Sequence, residues 1–336
     1  FAVSGSLLAA RRNFDIVGSL MLGSFVGLGG GVIRDLIINQ GVPLAFSKPV
    51  YLLPPLLAAI LVFTHALGVQ RYRRTLLALD AAATALPELT ASGLATVELM
   101  DATSLRVARL AADAPLELRN LEVQSHAALL VEHQAATAEE LEAKRDASQP
   151  LFESLRLAAP FAMTTNAKDR AGMWHMRKGL YTTVAGARPS GTNALLEDIV
   201  VPVPSLARTC AELATLFTAH HYRDSVIFGH AKDGNIHFML NENFNDPAEL
   251  ARYEAFTEEM VDLVLGEGGS LKAEHGTGRI MAPYVRRQYG DELYEVMCEV
   301  KRLIDPANLL NPGVLINDDP RSYVQNLKVA PTVEKE

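Results

Sequence analysis

Two cysteines, Cys210 and Cys298, are all that this chain of 336 residues contains. They lie far apart and match no metal or redox spacing. A disulfide framework and a thiolate cluster are therefore excluded, and both are expected to be reduced structural thiols of a cytoplasmic domain. Positive charge is also short: 31 Lys and Arg stand against 39 Asp and Glu, a net charge of −8. A nucleic-acid partner, which needs a basic patch, is not expected. No His-Glu-x-x-His run occurs, so the helical zinc motif of metallohydrolases is missing. What remains is 49% hydrophobic and long enough for about two domains, with the apolar share concentrated in the N-terminal fifth.

Two short segments carry the chemistry, GHAKDGNIH from Gly229 and AEHGTG from Ala273. His230 and His237 flank Asp233-Gly234-Asn235, with Val226-Ile227-Phe228 before the turn and Phe238-Met239-Leu240 after it. This reads as strand, tight turn, strand, a hairpin able to bring both imidazoles to one end of a sheet. Two histidines and a carboxylate are donors that zinc or a similar ion accepts, leaving a position open in a catalytic site. Two ordinary histidines beside a turn are the alternative, and Glu274-His275 between glycines weighs against it.

Strand-like runs occur at 75–79, 95–99, 128–132, 198–203, 225–229 and 236–240. Helices are predicted at 81–89, 104–112, 137–148, 206–220, 248–265 and 291–303. Pro87 weakens the first helix, and Pro247 suits the start of the fifth. Without a regular βαβ beat, the pattern favours an α+β fold with an antiparallel sheet.

VIFGHAKDGNIHFML, GSLKAEHGTGR and IDPANLLNPGVL, together with WHMRKGLYTTVAGARPSGT and LLEDIVVPV, resemble one family. It is the C-terminal half of flavin-linked D-2-hydroxy-acid dehydrogenases of the vanillyl-alcohol-oxidase type, over roughly residues 70–330. The D-lactate and D-2-hydroxyglutarate dehydrogenases belong there, including large bacterial members with an iron–sulfur segment. The resemblance implies a ferredoxin-like substrate domain, with His230, His237 and Glu274 as ligands of a divalent metal (zinc first, manganese second). It further implies FAD as hydride acceptor and a small 2-hydroxy acid as substrate. Such an acid can chelate a metal through carboxylate and hydroxyl, which eases hydroxyl deprotonation. His275 is then the natural base, since imidazole titrates near neutrality. Arg177 is expected to clamp the substrate carboxylate; a surface arginine on a helix is the alternative. Lys178 is expected to be solvated. Asn311 in LNPG is assigned beside the flavin or, equally, to a plain helix-stop turn. Some relatives place a lysine two residues before the aspartate of EDIVVP. Leu196 holds that position here, which puts a long diacid substrate in doubt.

The N-terminus reads differently. Residues 16–33 and 49–68 carry no charge, and each run is long enough to cross a bilayer, which takes ~20 apolar residues. Arg11-Arg12 point to a cytoplasmic start. Gly27 and Gly29-Gly30-Gly31 before Arg34-Asp35 suggest a broken or closely packed membrane helix, or in a soluble protein an anion-cradling loop. The segment from Ala2 to Ile37 is similar to a bacterial membrane family that is related to trimeric cation channels and includes glycine transporters. Residues 1–68 are thus expected to be part of one membrane-like repeat and residues 69–336 the oxidase C-terminal domain. Attachment to the inner membrane through 14–68, with the catalytic domain cytoplasmic, follows. The flavin-binding domain and the iron–sulfur segment of the similar enzymes are expected to be missing, so the chain alone is expected neither to hold flavin tightly nor to oxidise D-lactate. Two other readings stay open: a transport fragment carrying a non-functional oxidase domain, and a metallohydrolase.

Overall fold

The computed structural model describes residues 24, 28, 71–79 and 85–331, apart from 111–113, 115, 125–126, 156 and 158–162. Apart from residues 24 and 28, the apolar spans expected at 16–33 and 49–68 lie outside the described residues. Among the described residues, no helix is long and apolar enough to cross a membrane. Two compact units emerge, Phe1–Tyr72 with Gln134–Ala143, and Arg73–His133 with Lys144–Glu336. The site lies wholly in the second.

Six strands form one sheet: β1 (Arg71–Leu79), β2 (Thr96–Met100), β3 (Ala127–Ala135), β4 (Asn193–Val200), β5 (Val226–Gly229) and β6 (Asn235–Glu242). Their order is β1-β3-β2-β5-β6-β4. The pairs β2–β3, β2–β5, β5–β6 and β4–β6 are antiparallel, as expected of an α+β fold. Among the described residues from 71 onward the helices are α1 (Leu86–Ala91), α2 (Ala102–Arg109), α3 (Leu116–Asn120), α4 (Ala138–Ser154), α5 (Ala167–Ala187), α6 (Leu206–Ala219), α7 (Pro247–Gly266) and α8 (Val285–Ile304).

Side chains alternate across a strand, and here that alternation separates two cores. Val97, Leu99, Leu129, Val131, Ile199, Ile227, Ile236 and Phe238 face one layer, where Phe217 of α6 and Phe256 and Met260 of α7 meet them. Met100, Ala128, Leu130, Val226, Phe228 and Met239 face the other, under Leu105 of α2 and Met176, Leu180 and Val184 of α5. Removing such buried side chains from water, at roughly 25 cal/mol per Å² of apolar surface, is the main driving force for both layers.

Several elements depart from the sequence reading. The strand expected over 198–203 is β4, which starts at Asn193 and ends at Val200; Pro202, without an N–H, opens a 3₁₀ turn instead. The helix expected to stop at Ser148 continues past Pro150 to Ser154, where Phe152 is fully buried. The 21-residue α5 was not predicted at all. Gly172, Gly179 and Gly186, with Thr182-Thr183-Val184, lower its helix propensity. It forms because Asn166 caps the N–H groups of Lys168 and Asp169, and because Met176, Leu180 and Val184 are buried on one stripe.

Candidate metal and substrate site

The register of the sheet assembles the site. In β5–β6 pairing Phe228 stands opposite His237, and in β4–β6 pairing His237 stands opposite Asp198. One row thus carries phenyl, imidazole and carboxylate on the α5 side. Leu99 pairs with Gly229, so Glu98 of β2 lies next to His230 at the tip of the hairpin. That tip turns through Gly234 at φ 71°, where a Cβ would collide with the Val201 carbonyl oxygen. Only glycine fits there.

His230 and His237 converge as the hairpin reading expected. The His230 Nε2 is 3.2 Å and the His237 Nε2 3.1 Å from the same Glu274 oxygen, Oε1. His275 borders the same point, its Nε2 3.8 Å from that oxygen and its ring centroid 5.1 Å from that of His237. Asp198, His237, Glu274 and His275 can each present a donor atom within 4.8 Å of the others. Glu274 and His275 are exposed, whereas His237 and Asp198 are buried.

The loop that presents Glu274 and His275 is held by Asp198. Its Oδ2 accepts the backbone N–H groups of Ala273, Glu274 and His275 at 3.1, 2.8 and 2.8 Å. Its Oδ1 accepts from the Asn235 amide at 2.7 Å and approaches His237 Nδ1 at 3.5 Å. Burial acts to raise the Asp198 pKa, but these N–H donors outweigh it and hold the carboxyl below its ordinary value. With both oxygens occupied, Asp198 orders the loop and is a poor candidate for a metal ligand.

Glu98 was not singled out in the sequence. It is 2% exposed, and it reaches His230 Nδ1 through Oε1 at 2.7 Å and Arg177 Nη2 through Oε2 at 2.8 Å. The signal for it was a lone carboxylate inside the apolar strand TVELM. The hydrogen bond to Glu98 raises the His230 pKa against desolvation. Burial pushes His237 down to about 4 despite Asp198 and Glu274, so above that pH its ring is neutral and offers a lone pair.

Arg177 lies on α5 with its guanidinium over the Phe228 ring at 5.0 Å from the centroid. It is 7% exposed, not a surface arginine, and burial lowers its pKa against the pull of Glu98. Its Nε is buried without a partner. Lys178 is exposed and lies 5.3 Å from the Trp174 ring centroid. Leu196 is partly buried against the cluster that contains Phe228, Met239 and Leu180, so the lysine position of some relatives is part of an apolar layer here. Asn311 is exposed at φ 45°, and its carbonyl accepts from Val314 N–H at 3.2 Å in a turn after α8. None of the hydrogen bonds described for the site involves it.

Residues 75–315 match the family model described as "FAD linked oxidases, C-terminal domain". The chain belongs to this FAD-linked oxidase family. Residues 1–66 match a second model, "Glycine transporter". Among curated relatives, a probable mitochondrial D-lactate dehydrogenase of Danio rerio is 30% identical over 46% of this chain and 31% of its own length. The glycolate oxidase subunit GlcD of Bacillus subtilis (strain 168) is 28% identical over 75% of this chain and 53% of its own. A UPF0126 membrane protein of Deinococcus radiodurans is 43% identical over 26% of this chain and 40% of its own. The crystal structure of p-cresol methylhydroxylase with substrate bound shares the fold, with a TM-score of 0.53 at 12% identity, over 74% of this chain and 53% of that one. The chain thus spans about half, or less, of the oxidoreductase relatives it matches.

The donor set of this FAD-linked oxidase domain fits a divalent ion. His230 Nδ1 faces the Glu98 carboxylate, and in the neutral ring a hydrogen on Nδ1 leaves the Nε2 lone pair directed at Glu274. Metal-binding histidines are commonly oriented this way. Two nitrogens and a carboxylate oxygen suit zinc or manganese.

Proposed function

We propose that this chain carries the metal-and-substrate half of a flavin-dependent 2-hydroxy-acid dehydrogenase. The observation that carries this reading is the meeting of His230 Nε2, His237 Nε2 and His275 Nε2 around one Glu274 oxygen, inside a FAD-linked oxidase domain. His230, His237 and Glu274 hold the ion. A bound divalent ion supplies positive charge that lowers the pKa of the substrate hydroxyl, and a bound flavin supplies an acceptor for two electrons. His275 takes the hydroxyl proton at Nε2 from the open side of the site. Arg177 binds the substrate carboxylate through its unpartnered Nε edge, while Phe228 and α5 keep water from that side. Leu196 stands where some relatives have a second cation, so a short monocarboxylate such as D-lactate or glycolate is favoured over D-2-hydroxyglutarate.

Calorimetric titration of the chelator-stripped chain with zinc tests the ligand set. One ion per chain is expected, with Glu274→Ala, His230→Ala and His237→Ala each abolishing or severely weakening it. Unchanged affinity in all three variants would remove the metal from this site.

We further infer that residues 14–68 attach the protein to a membrane. Two uncharged runs of spanning length and the glycine-transporter match over 1–66 support this. The full chain is expected in the detergent-extractable membrane fraction, and a fragment starting at Gln70 in the soluble one. A full chain that is monomeric without detergent would overturn this reading, since large bare apolar surfaces seldom remain dispersed.

A further inference from the structure

Burying a carboxylate is costly unless both oxygens find partners. Glu98 is 2% exposed and interrupts an otherwise apolar strand. Its Oε1 is hydrogen-bonded to His230, at the hairpin tip, and its Oε2, which makes no hydrogen bond, lies in an ion pair 2.8 Å from the Arg177 guanidinium on α5, both partners coming from elements far away in sequence. We propose that Glu98 is a positioning residue, whose carboxylate locks the His230 ring with Nε2 toward Glu274 and holds Arg177 over the same space. This rests on the reading of His230 as a metal ligand.

The physical link is the tautomer. Glu98 Oε1 can only accept, so His230 Nδ1 must donate to it at 2.7 Å. A neutral ring with its hydrogen on Nδ1 has its lone pair on Nε2, the atom 3.2 Å from Glu274 Oε1. Without the carboxylate, the ring is free to rotate or to carry its hydrogen on Nε2, and either change removes the donor. The competing explanation is that Glu98 only balances the buried charge of Arg177. The two differ in whether metal affinity follows Glu98 or Arg177.

Zinc titration of the chelator-stripped full chain separates them. Glu98→Leu, which removes both acceptor oxygens at similar volume, is expected to weaken zinc binding about 10–100-fold, the usual cost of removing a carboxylate behind a metal-binding histidine. Because that variant leaves Arg177 buried without its counter-charge, the double variant Glu98→Leu/Arg177→Met is measured beside it and is expected to show a similar loss. Arg177→Met alone keeps the His230 contact and is expected to bind zinc close to wild type. Wild-type affinity in the double variant, or an equal loss in Arg177→Met alone, overturns the proposal. A second readout needs no metal. Nitrogen NMR of the metal-free chain, with the ring neutral, is expected to show His230 protonated at Nδ1 in the wild type and shifted toward Nε2 in the double variant. An Nε2–H ring in the wild type overturns the proposal. If the wild type binds no zinc while the tautomer still follows Glu98, the metal reading falls and the positioning role stands.

Discussion

Asp198→Ala is expected to destabilise the domain by about 3–5 kcal/mol, the range for removing one partner from a buried charged network. The carboxylate is 1% exposed, and its loss leaves three consecutive backbone N–H groups, from Ala273 to His275, and the Asn235 amide without their acceptor. Each orphaned buried donor costs about 1–3 kcal/mol, and partial access of water to the exposed loop keeps the total below the simple sum. Against a usual domain stability of about 5–15 kcal/mol, this is a large share. Urea unfolding of the full chain measures it as a lower midpoint at unchanged slope. Asp198→Asn keeps one acceptor oxygen and should fall between wild type and Asp198→Ala. A loss below about 1 kcal/mol, the worth of one ordinary hydrogen bond, would mean that the loop is held by something else.

In the complete flavin-loaded enzyme, His275→Gln is expected to lower kcat about a hundredfold to ten-thousandfold, the typical contribution of a positioned general base. Bound zinc per chain should stay unchanged, since the ligands assigned are His230, His237 and Glu274. KM should move little, because substrate is held by the ion and Arg177 in this reading. That split distinguishes a lost base from a lost ligand, for Glu274→Ala should remove the ion as well as the activity. An unchanged kcat in His275→Gln would take the base role away from this ring.

Much of the site could be read in the sequence, for reasons that differ by residue. His230 and His237 bracket a turn signal between two apolar runs, and a hairpin places its own ends together by local geometry alone. Glu274 and His275 were identified by motif, and nothing in their spacing showed that the loop would fold back onto the hairpin. Asp198 and Glu98 escaped for the same reason. A carboxylate in an apolar strand reads as an interruption until its neighbours across the sheet are known. Arg177 was assigned a free guanidinium fork, and in the structure Glu98 occupies one edge of it. The α5 helix that carries Arg177 was missed because three glycines mask its propensity, while the stripe that stabilises it is defined only against the sheet.

By itself, the sequence determined the donor types, the hairpin, the α+β pattern and the presence of two unlike segments in one chain. These depend on side-chain chemistry, alternation of period two and runs of uncharged residues, all of which are local. The tertiary structure alone decided which atoms meet. Glu98 and His230 are separated by 132 residues, and Asp198 and the Glu274 N–H by 76. The antiparallel register put His237 between Phe228 and Asp198, and burial then set its charge state. Desolvation and hydrogen bonding depend on everything that surrounds a group, so no stretch of sequence around one residue contains them.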